Sequence, residues 1–236
     1  MLGAVLAGDE ADAAGARLPG GVVQTGAWFV QRITLTRGAV PEVRMVRLTL
    51  WIRYVGSVTP ESRLPRDGAR RRLRGMDPVE LLTDRLTLRR PVVAEVPAIA
   101  AACTDPWIQR YVPVPSPYTE ADAREFVATA AREWESDESY AFAVHAGGAL
   151  AGMAQLTRKG TGLVELGFWA APGQRRRGYT VEASHRLCQW GFDTLGIHRI
   201  DWWAVVGNDG SRSVAESIGF VLEGTLRQRA MLHGEP

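Results

Sequence analysis

The chain of 236 residues has few of the residue types that build disulfide frameworks or metal sites. Its two cysteines lie far apart, and neither they nor the histidines show the spacing of a metal centre. No apolar run approaches the roughly 18 residues of a membrane-spanning helix, and the first residues lack the basic segment of a signal peptide. These absences predict a reduced, cytoplasmic protein without metal or membrane partner, and no role for its cysteines or histidines, Cys103, Cys188, His145, His185, His198 and His233.

Lysine is scarce as well, since Lys159 is the only lysine among 28 basic residues. Residues 1–75 carry 12 arginines and 6 acids, whereas the rest of the chain carries 16 basic and 20 acidic residues. Alanine- and glycine-rich segments and the arginine cluster of residues 70–74 interrupt any amphipathic period in the first part. We therefore expect residues 1–75 to be a basic, disordered or mis-annotated extension and residues 76–236 to form one domain.

One stretch inside the extension has a sequence compatible with regular secondary structure. Residues 43–55 could form a strand pair or a short helix, although no segment of matching pattern lies nearby. The alternative to an artefact is a basic arm that binds RNA or the ribosome through its arginines.

The most informative stretch is residues 174–183, which read Gln-Arg-Arg-Arg-Gly-Tyr-Thr-Val-Glu-Ala. An apolar strand-like run, residues 163–170, precedes it, and a helical pattern continues to about Leu195. At the start of such a helix, backbone N–H groups and the helix dipole favour an anion. Three consecutive arginines favour a multiply charged phosphate over a single carboxylate.

A second segment, residues 208–220, has the form Asn-x-x-Ser-x-x-Val-Ala-x-x-x-Gly-Phe. Together with the arginine loop it closely resembles the GNAT superfamily of acyl-CoA N-acetyltransferases, and in particular the ribosomal-protein N-terminal (Rim-like) branch. The loop fits five of the six positions of the family's pyrophosphate signature, and Thr180 stands where glycine or alanine is usual. The resemblance covers about residues 81–229, and Met76 resembles the start of a Rim-type enzyme.

The resemblance implies an α/β (α+β) GNAT fold. Its mixed central sheet would be splayed between the fourth and fifth strands and flanked by helices. The order of patterns after Met76 agrees with it: strand, two helices, three strands, helix, strand, helix and strand. Family members continue through one more strand, so we expect the last strand to be truncated here.

The resemblance also implies where the cosubstrate acetyl-CoA would lie. The pantetheine arm would follow the strand at Phe168, Trp169 and Ala170, and Asn208 and Ser211 would meet the cofactor near its sulfur. Ser211 would also protonate the departing thiolate, although it could equally cap a helix. The pyrophosphate would take the N–H groups of Arg175, Arg176, Arg177, Gly178, Tyr179 and Thr180.

Candidates for acceptor chemistry are fewer. Glu165 alternates with Val164 and Leu166, so it faces the opposite side of its strand, where a carboxylate could draw a proton from the amine through water. The alternative is an exposed or structural charge. Trp107 and Tyr111 fall in a proline-punctuated loop, residues 105–117, which in the family lines the acceptor pocket.

These observations predict an N-acetyltransferase that moves an acetyl group from acetyl-CoA to a primary amine, possibly a protein N-terminus. The alternatives are a non-catalytic acyl-CoA-binding module of the same fold and, less favoured, a nucleic-acid-binding protein. Expected partners are acyl-CoA and a protein N-terminus or small amine, in a monomer or homodimer.

Overall fold

Eight strands and five helices make up the part of the chain that the computed structural model describes, residues 44–51 and 77–227. Two 3-10 turns, Val93–Glu95 and Pro172–Gln174, precede the first and fourth helices. In chain order the elements are β1 (Arg44–Trp51), β2 (Leu81–Leu82), β3 (Leu86–Arg89), α1 (Val96–Cys103), α2 (Pro106–Tyr111), α3 (Glu120–Glu135), β4 (Ser139–Ala146), β5 (Ala149–Gly160), β6 (Leu163–Ala170), α4 (Tyr179–Thr194), β7 (Arg199–Val205), α5 (Asp209–Ser217) and β8 (Val221–Arg227).

All eight strands belong to one sheet, in the order β2-β3-β4-β5-β6-β7-β1-β8. Every neighbouring pair is antiparallel except β6 and β7, which run parallel. The parallel pair needs a crossover, and the segment that contains α4 supplies it. The structure therefore confirms the expected mixed sheet with flanking helices.

Two apolar clusters lie on opposite faces of the sheet, because successive side chains of a strand point to opposite sides. On one face α4 packs on β5 and β6, and the cluster includes Leu156, Leu166 and Leu187. On the other face α1 and α3 cover β4 and β5, with Ile99 and Met153 among the buried side chains. Towards β7 and β1 this second face carries polar side chains, among them Asp201 and Thr49.

Strand β1 lies between β7 and β8 and is antiparallel to both. Its residue Leu48 is fully buried in the main cluster and is the register partner of both Trp202 and Leu222. Thr49, on the opposite face, donates a hydrogen bond of 3.2 Å to Asp201. The sequence offered no nearby partner because the partners lie about 150 residues further along the chain. Eight residues of the expected extension thus belong to the sheet, and the other residues of 1–75 lie outside the described residues.

The other elements match the sequence patterns with two corrections. Thr119 caps α3 and forms a capping box with Asp122, and a tight turn at Gly147 and Gly148 joins β4 to β5. The alternation of apolar and polar residues over 83–90 predicts one strand, but residues 83–85 form the turn between β2 and β3, and the strand begins at Leu86. The segment 105–117 was expected to be a loop, but it contains α2.

Candidate active site

The predicted anion loop connects the end of β6 to the start of α4. Gly178 is the N-cap of α4 with a φ of 78°, a left-handed conformation that glycine adopts without a steric cost. The N-cap makes no side-chain hydrogen bond, and the first intrahelical bond runs from the N–H of Glu182 to the carbonyl of Gly178. The amides of Tyr179 and Thr180 therefore precede the helical ladder and are free to bind an anion.

The three arginines of the loop differ in their surroundings. Arg176 and Arg177 are exposed, and Arg176 holds a φ of 60°, a conformation unusual for a residue with a side chain. Arg175 is half-buried and its guanidinium bonds both carboxylate oxygens of Asp105. Two of the three cationic side chains are thus available to a ligand from solvent, and the third is already paired.

A further arginine, which the sequence analysis missed, also contacts the loop. Arg85, in the β2–β3 turn, donates to the carbonyl of Arg177 at 3.1 Å and to Glu182 at 2.7 Å, and its guanidinium lies over the ring of Tyr179. Burial alone would raise the pKa of Glu182, but hydrogen bonds from Thr83 and Arg85 outweigh it and lower that pKa. This contact ties the first turn of α4 to the β2–β3 turn.

The far half of β6 presents a partly unpaired edge. Within the described residues, the ladder between β6 and β7 runs only from Leu163–Arg199 to Leu166–Trp202, although both strands continue. Phe168, Trp169 and Ala170 pair with β5 alone. The aromatic side chains of this strand also belong to the core: Trp169 is buried in the second cluster, and Phe168 packs against the main one.

Glu165 lies in the middle of β6 on the face predicted for it. Its side chain is 29% exposed, and the Oε2 atom lies 3.5 Å from Nζ of Lys159. The register places Glu165 beside Thr157 of β5 and Asp201 of β7. Its carboxylate is thus partly accessible to solvent on this face, as the predicted role requires.

A network of charged side chains surrounds Asp201 on the same face of the sheet. Asp201 pairs with Arg199 at 2.7 Å and with Arg47 at 3.3 Å, and both arginines also pair with Glu223. Asp201 is only 6% exposed, so these contacts compensate for the loss of its hydration. Strand β1 therefore adds a cation, Arg47, beside β7, and β7 is the strand next to the one that carries Glu165.

Asn208 and Ser211 lie at the start of α5. The side chain of Asn208 accepts a hydrogen bond of 3.3 Å from the backbone N–H of Ser211. Asn208 is thus the N-cap, and the alternative in which Ser211 caps this helix is wrong. The cap is a role for Asn208 that does not depend on a cofactor.

Trp107 and Tyr111 lie together on α2. Their rings stack with centroids 5.6 Å apart, and Trp107 is 59% exposed. Asp105 caps the helix by accepting from the N–H groups of Trp107 and Ile108. The structure thus places the two predicted substrate contacts on one helix and makes them neighbours.

One histidine has a carboxylate partner that the sequence spacing did not indicate. Nε2 of His145 lies 2.6 Å from Glu95, which also pairs with Arg89 at 2.8 Å and accepts from the N–H of Val92. The fold brings His145 and Glu95 together although they lie 50 positions apart in the sequence. Among residues 44–51 and 77–227, no group of three or more metal-ligating side chains comes together.

Replacing Glu95 with glutamine is expected to lower the free energy of unfolding by about 1–3 kcal/mol near neutral pH. Burial alone would raise the pKa of Glu95, but His145, the Val92 amide and Arg89 together lower it below its ordinary value of 4.5. Because the folded-state pKa is depressed, the stabilisation exists above the ordinary value and is lost as the pH falls through the folded-state pKa. Urea unfolding of parent and variant should therefore show a difference that shrinks in acid.

The control for this measurement is the exposed pair of Glu120 and Arg124 on α3. Glu120→Gln should change the unfolding free energy by less than about 1 kcal/mol. If Glu95→Gln changes the unfolding free energy as little as this control does, or if its loss of stability grows in acid, ionised Glu95 does not stabilise the fold as stated.

None of the five helices in the described parts of the chain is long and apolar enough to cross a membrane. Comparison with protein families shows that the acetyltransferase (GNAT) domain model matches residues 85–221, more than half of the chain. YdaF of Bacillus subtilis (strain 168), a ribosomal N-acetyltransferase by name, is 35% identical over 80 residues, which make up 34% of this chain and 42% of YdaF. The matched segment thus spans less than half of that relative.

Solved structures share the fold. RimL, a ribosomal L7/L12 α-N-protein acetyltransferase solved in complex with coenzyme A, aligns with a TM-score of 0.62 at 20% identity, over 66% of this chain and 92% of RimL. RimJ of Mycobacterium smegmatis, solved with a CoA disulfide, aligns with a TM-score of 0.60 at 17% identity, over 67% of this chain and 81% of RimJ. The TM-scores establish a common fold, and at identities of 17–20% they establish no more than the fold.

Proposed function

Because the chain belongs to the GNAT acetyltransferase family, we propose that it transfers an acetyl group from acetyl-CoA to a primary amine. The observation that carries the proposal is the start of α4. An N-terminus without a side-chain cap lies beside two exposed arginines, directly after a strand whose far half pairs on one side only. A phosphate-bearing ligand with an extended amide arm suits both features.

In this proposal the pyrophosphate of acetyl-CoA takes the backbone N–H groups of residues 175–180, with Arg176 and Arg177 adding charge. When the β2–β3 hairpin is counted as one strand, β6 and β7 are the fourth and fifth strands of the family domain. Their short ladder supports a sheet that is splayed between these two strands. The pantetheine arm would lie along the unpaired edge of Phe168, Trp169 and Ala170. An N–H of β6 would polarise the thioester carbonyl.

Acetyl transfer forms a C–N bond and breaks the C–S bond of the thioester. The attacking amine must be neutral, so Glu165 would accept the proton of the ammonium group through water. As the tetrahedral intermediate collapses, its nitrogen loses a second proton, which would reach the leaving thiolate through the Ser211 hydroxyl, so that the serine ends unchanged. Asn208 would bond the pantetheine arm. Glu165 and Ser211 come from β6 and the start of α5, so the reaction would take place at the cleft between β6 and β7.

The acceptor we propose is a protein N-terminus, because the relatives described above are ribosomal-protein N-acetyltransferases by name. Trp107 and Tyr111 offer an exposed aromatic pair for an extended peptide. We propose a cytoplasmic enzyme that is a monomer or a homodimer, with residues 76–236 as the catalytic domain and β1 added from the preceding segment.

Two measurements test the proposal. Isothermal titration with acetyl-CoA is expected to show binding, which a protein that acts only on nucleic acid would lack. Thiol release is then followed with four amines: a tetrapeptide with a free N-terminal serine, free alanine, spermidine and kanamycin. Acetyl-CoA binding with no thiol release above the blank for any of them would favour the non-catalytic module.

Gly178→Val is expected to weaken acetyl-CoA binding by roughly tenfold or more, because a β-branched residue resists the φ of 78° that shapes the loop. A Cβ atom at this position would meet only Nη2 of Arg85, at an ordinary 3.4 Å. The effect therefore operates through the backbone. Titration calorimetry with acetyl-CoA measures it.

The matched control is Gly173→Val in the same loop, where a Cβ atom would meet nothing within 4 Å and φ is not positive. This variant should bind acetyl-CoA like the parent. Equal affinity of the Gly178 variant and the parent would exclude the loop as the pyrophosphate site.

A further inference from the structure

The side chain of Arg175 has a different environment from those of the two arginines that follow it. It is 31% exposed, and it bonds Asp105, whose side chain is only 13% exposed. Nη1 donates to Oδ2 at 3.3 Å and Nη2 donates to Oδ1. A two-point contact between a guanidinium and a carboxylate sets direction as well as distance. Arg175 is thus aimed at α2, while Arg176 and Arg177 face solvent.

One carboxylate oxygen of Asp105, Oδ1, accepts hydrogen bonds both from α2 and from Arg175. Its Oδ1 accepts from the N–H of Trp107 at 3.1 Å and of Ile108 at 3.2 Å, so it caps α2 while it pairs with Arg175. Burial alone would raise the pKa of Asp105, but Arg175 and the two amides outweigh it and lower that pKa. The carboxylate therefore stays charged near neutral pH and holds both partners.

Helix α2 depends on such contacts because it is short. Six residues are too few for a helix to be stable by itself, and Ile108 is its only buried residue. Gln109 anchors its later part by donating to the carbonyls of Cys103 and Pro115 at 2.6 and 3.0 Å. Within the described residues, the side-chain link from the loop before α4 to the first turn of α2 is the Arg175–Asp105 pair.

We propose that Arg175 is a positioning residue for the amine acceptor: its guanidinium holds α2, and with it the Trp107–Tyr111 stack, in place beside the cofactor loop. The inference rests on the proposed function, because it takes that stack as part of the acceptor wall. The backbone N–H of Arg175 remains available to the pyrophosphate. One residue thus joins the cofactor side of the site through its backbone to the acceptor side through its side chain.

An arginine that positions α2 should affect the KM for the amine, whereas an arginine that only binds phosphate should affect the Kd for acetyl-CoA. Loss of the Arg175 side chain should raise the KM for the amine by about tenfold, the effect expected for a lost charge-assisted hydrogen bond at a partly exposed position. The Kd for acetyl-CoA should change by less than about threefold, since the charges of Arg176 and Arg177 remain.

The experiment compares three variants of the full chain. Arg175→Ala removes the ion pair with Asp105. Asp105→Asn removes the charge but keeps a good helix cap, so this variant still tests the pair if Arg175→Ala folds poorly. Arg176→Ala is the control, which should weaken acetyl-CoA binding and leave the KM for the amine unchanged. The amine is whichever of the four named acceptors the parent acetylates fastest, and Kd is measured by calorimetry.

A raised KM for the amine with a near-parental Kd in both Arg175→Ala and Asp105→Asn is the expected result. An unchanged KM in both variants, or a Kd raised as much as in Arg176→Ala, overturns the inference and leaves the proposed function standing. If the parent itself binds no acetyl-CoA in calorimetry, or acetylates none of the four amines, both proposals fail together.

Discussion

Glu165→Gln is expected to slow acetyl transfer by about 10²–10⁴-fold near neutral pH, with a defect that shrinks as the pH rises. An α-amino group with a pKa of about 7.7–8.0 is mostly protonated at neutral pH, and only its neutral form attacks the thioester. A carboxylate that removes the proton matters most where the neutral amine is scarce. At high pH the amine deprotonates without help, so the variant should approach the parent.

Ser211→Ala is expected to cause a rate defect that differs from that of Glu165→Gln in its size and in its dependence on pH. A CoA thiolate is a tolerable leaving group, so loss of its proton donor should lower the rate less than loss of the base does. The need for that proton does not vanish as the amine deprotonates, so the defect should be similar at every pH. The two variants therefore distinguish a base from a leaving-group acid without knowledge of the natural acceptor.

The measurement is a pH–rate profile of kcat/KM for the parent and both variants, with the best of the four amines. Glu216→Gln, which removes the same charge from an exposed pair on α5, is the control and should follow the parent. A Glu165→Gln profile that follows the parent across the whole range would exclude Glu165 as the base. Positioning of the two substrates alone would then carry catalysis.

Leu48→Ala is expected to lower the free energy of unfolding by about 2–5 kcal/mol, as for other fully buried leucines. Leu48 is buried in the main cluster, between its register partners Trp202 and Leu222. The deletion would leave a cavity in the main cluster beneath β1. Urea unfolding of the full chain, followed by circular dichroism, measures the loss.

Leu222→Ala provides the matched control, since Leu222 is on β8 opposite Leu48 but is 47% exposed. The same chemical change there should cost less than about 1 kcal/mol. If residues 44–51 lay outside the folded unit, the two variants would unfold alike. A clear difference would assign β1 to the cooperative unit of the protein.

The sequence predicted what depends on local pattern. The strand β6, the loop with Gly178 and the helix α4 follow from an apolar run, a glycine and a helical period in immediate succession. The same holds for α5. The signal for α2 was present but missed: Asp105 before Pro106 is a helix cap followed by proline at the first helical position. The abundance of prolines in the segment concealed it.

The remainder depends on contacts between distant parts of the chain, which a single sequence does not display. Residues 43–55 were expected to form a strand pair or a short helix, but nothing in the sequence indicated that β1 lies between β7 and β8. The pairs Arg175–Asp105 and Glu95–His145 join residues 70 and 50 positions apart. Any arginine could pair with any acid at that range, so only the fold selects the partner.

The place of β1 in the sheet has a consequence for biosynthesis. Its residues leave the ribosome before both of their neighbours, and roughly 175 further residues must be made before β8 is complete. At roughly 5–20 residues per second this wait lasts roughly 10–35 s, and until β7 is made a segment with several leucine and β-branched residues has no native partner. The charge of Arg47 within that strand can discourage its association with other nascent chains. Synthesis rate and chaperone supply would then influence the yield of active protein.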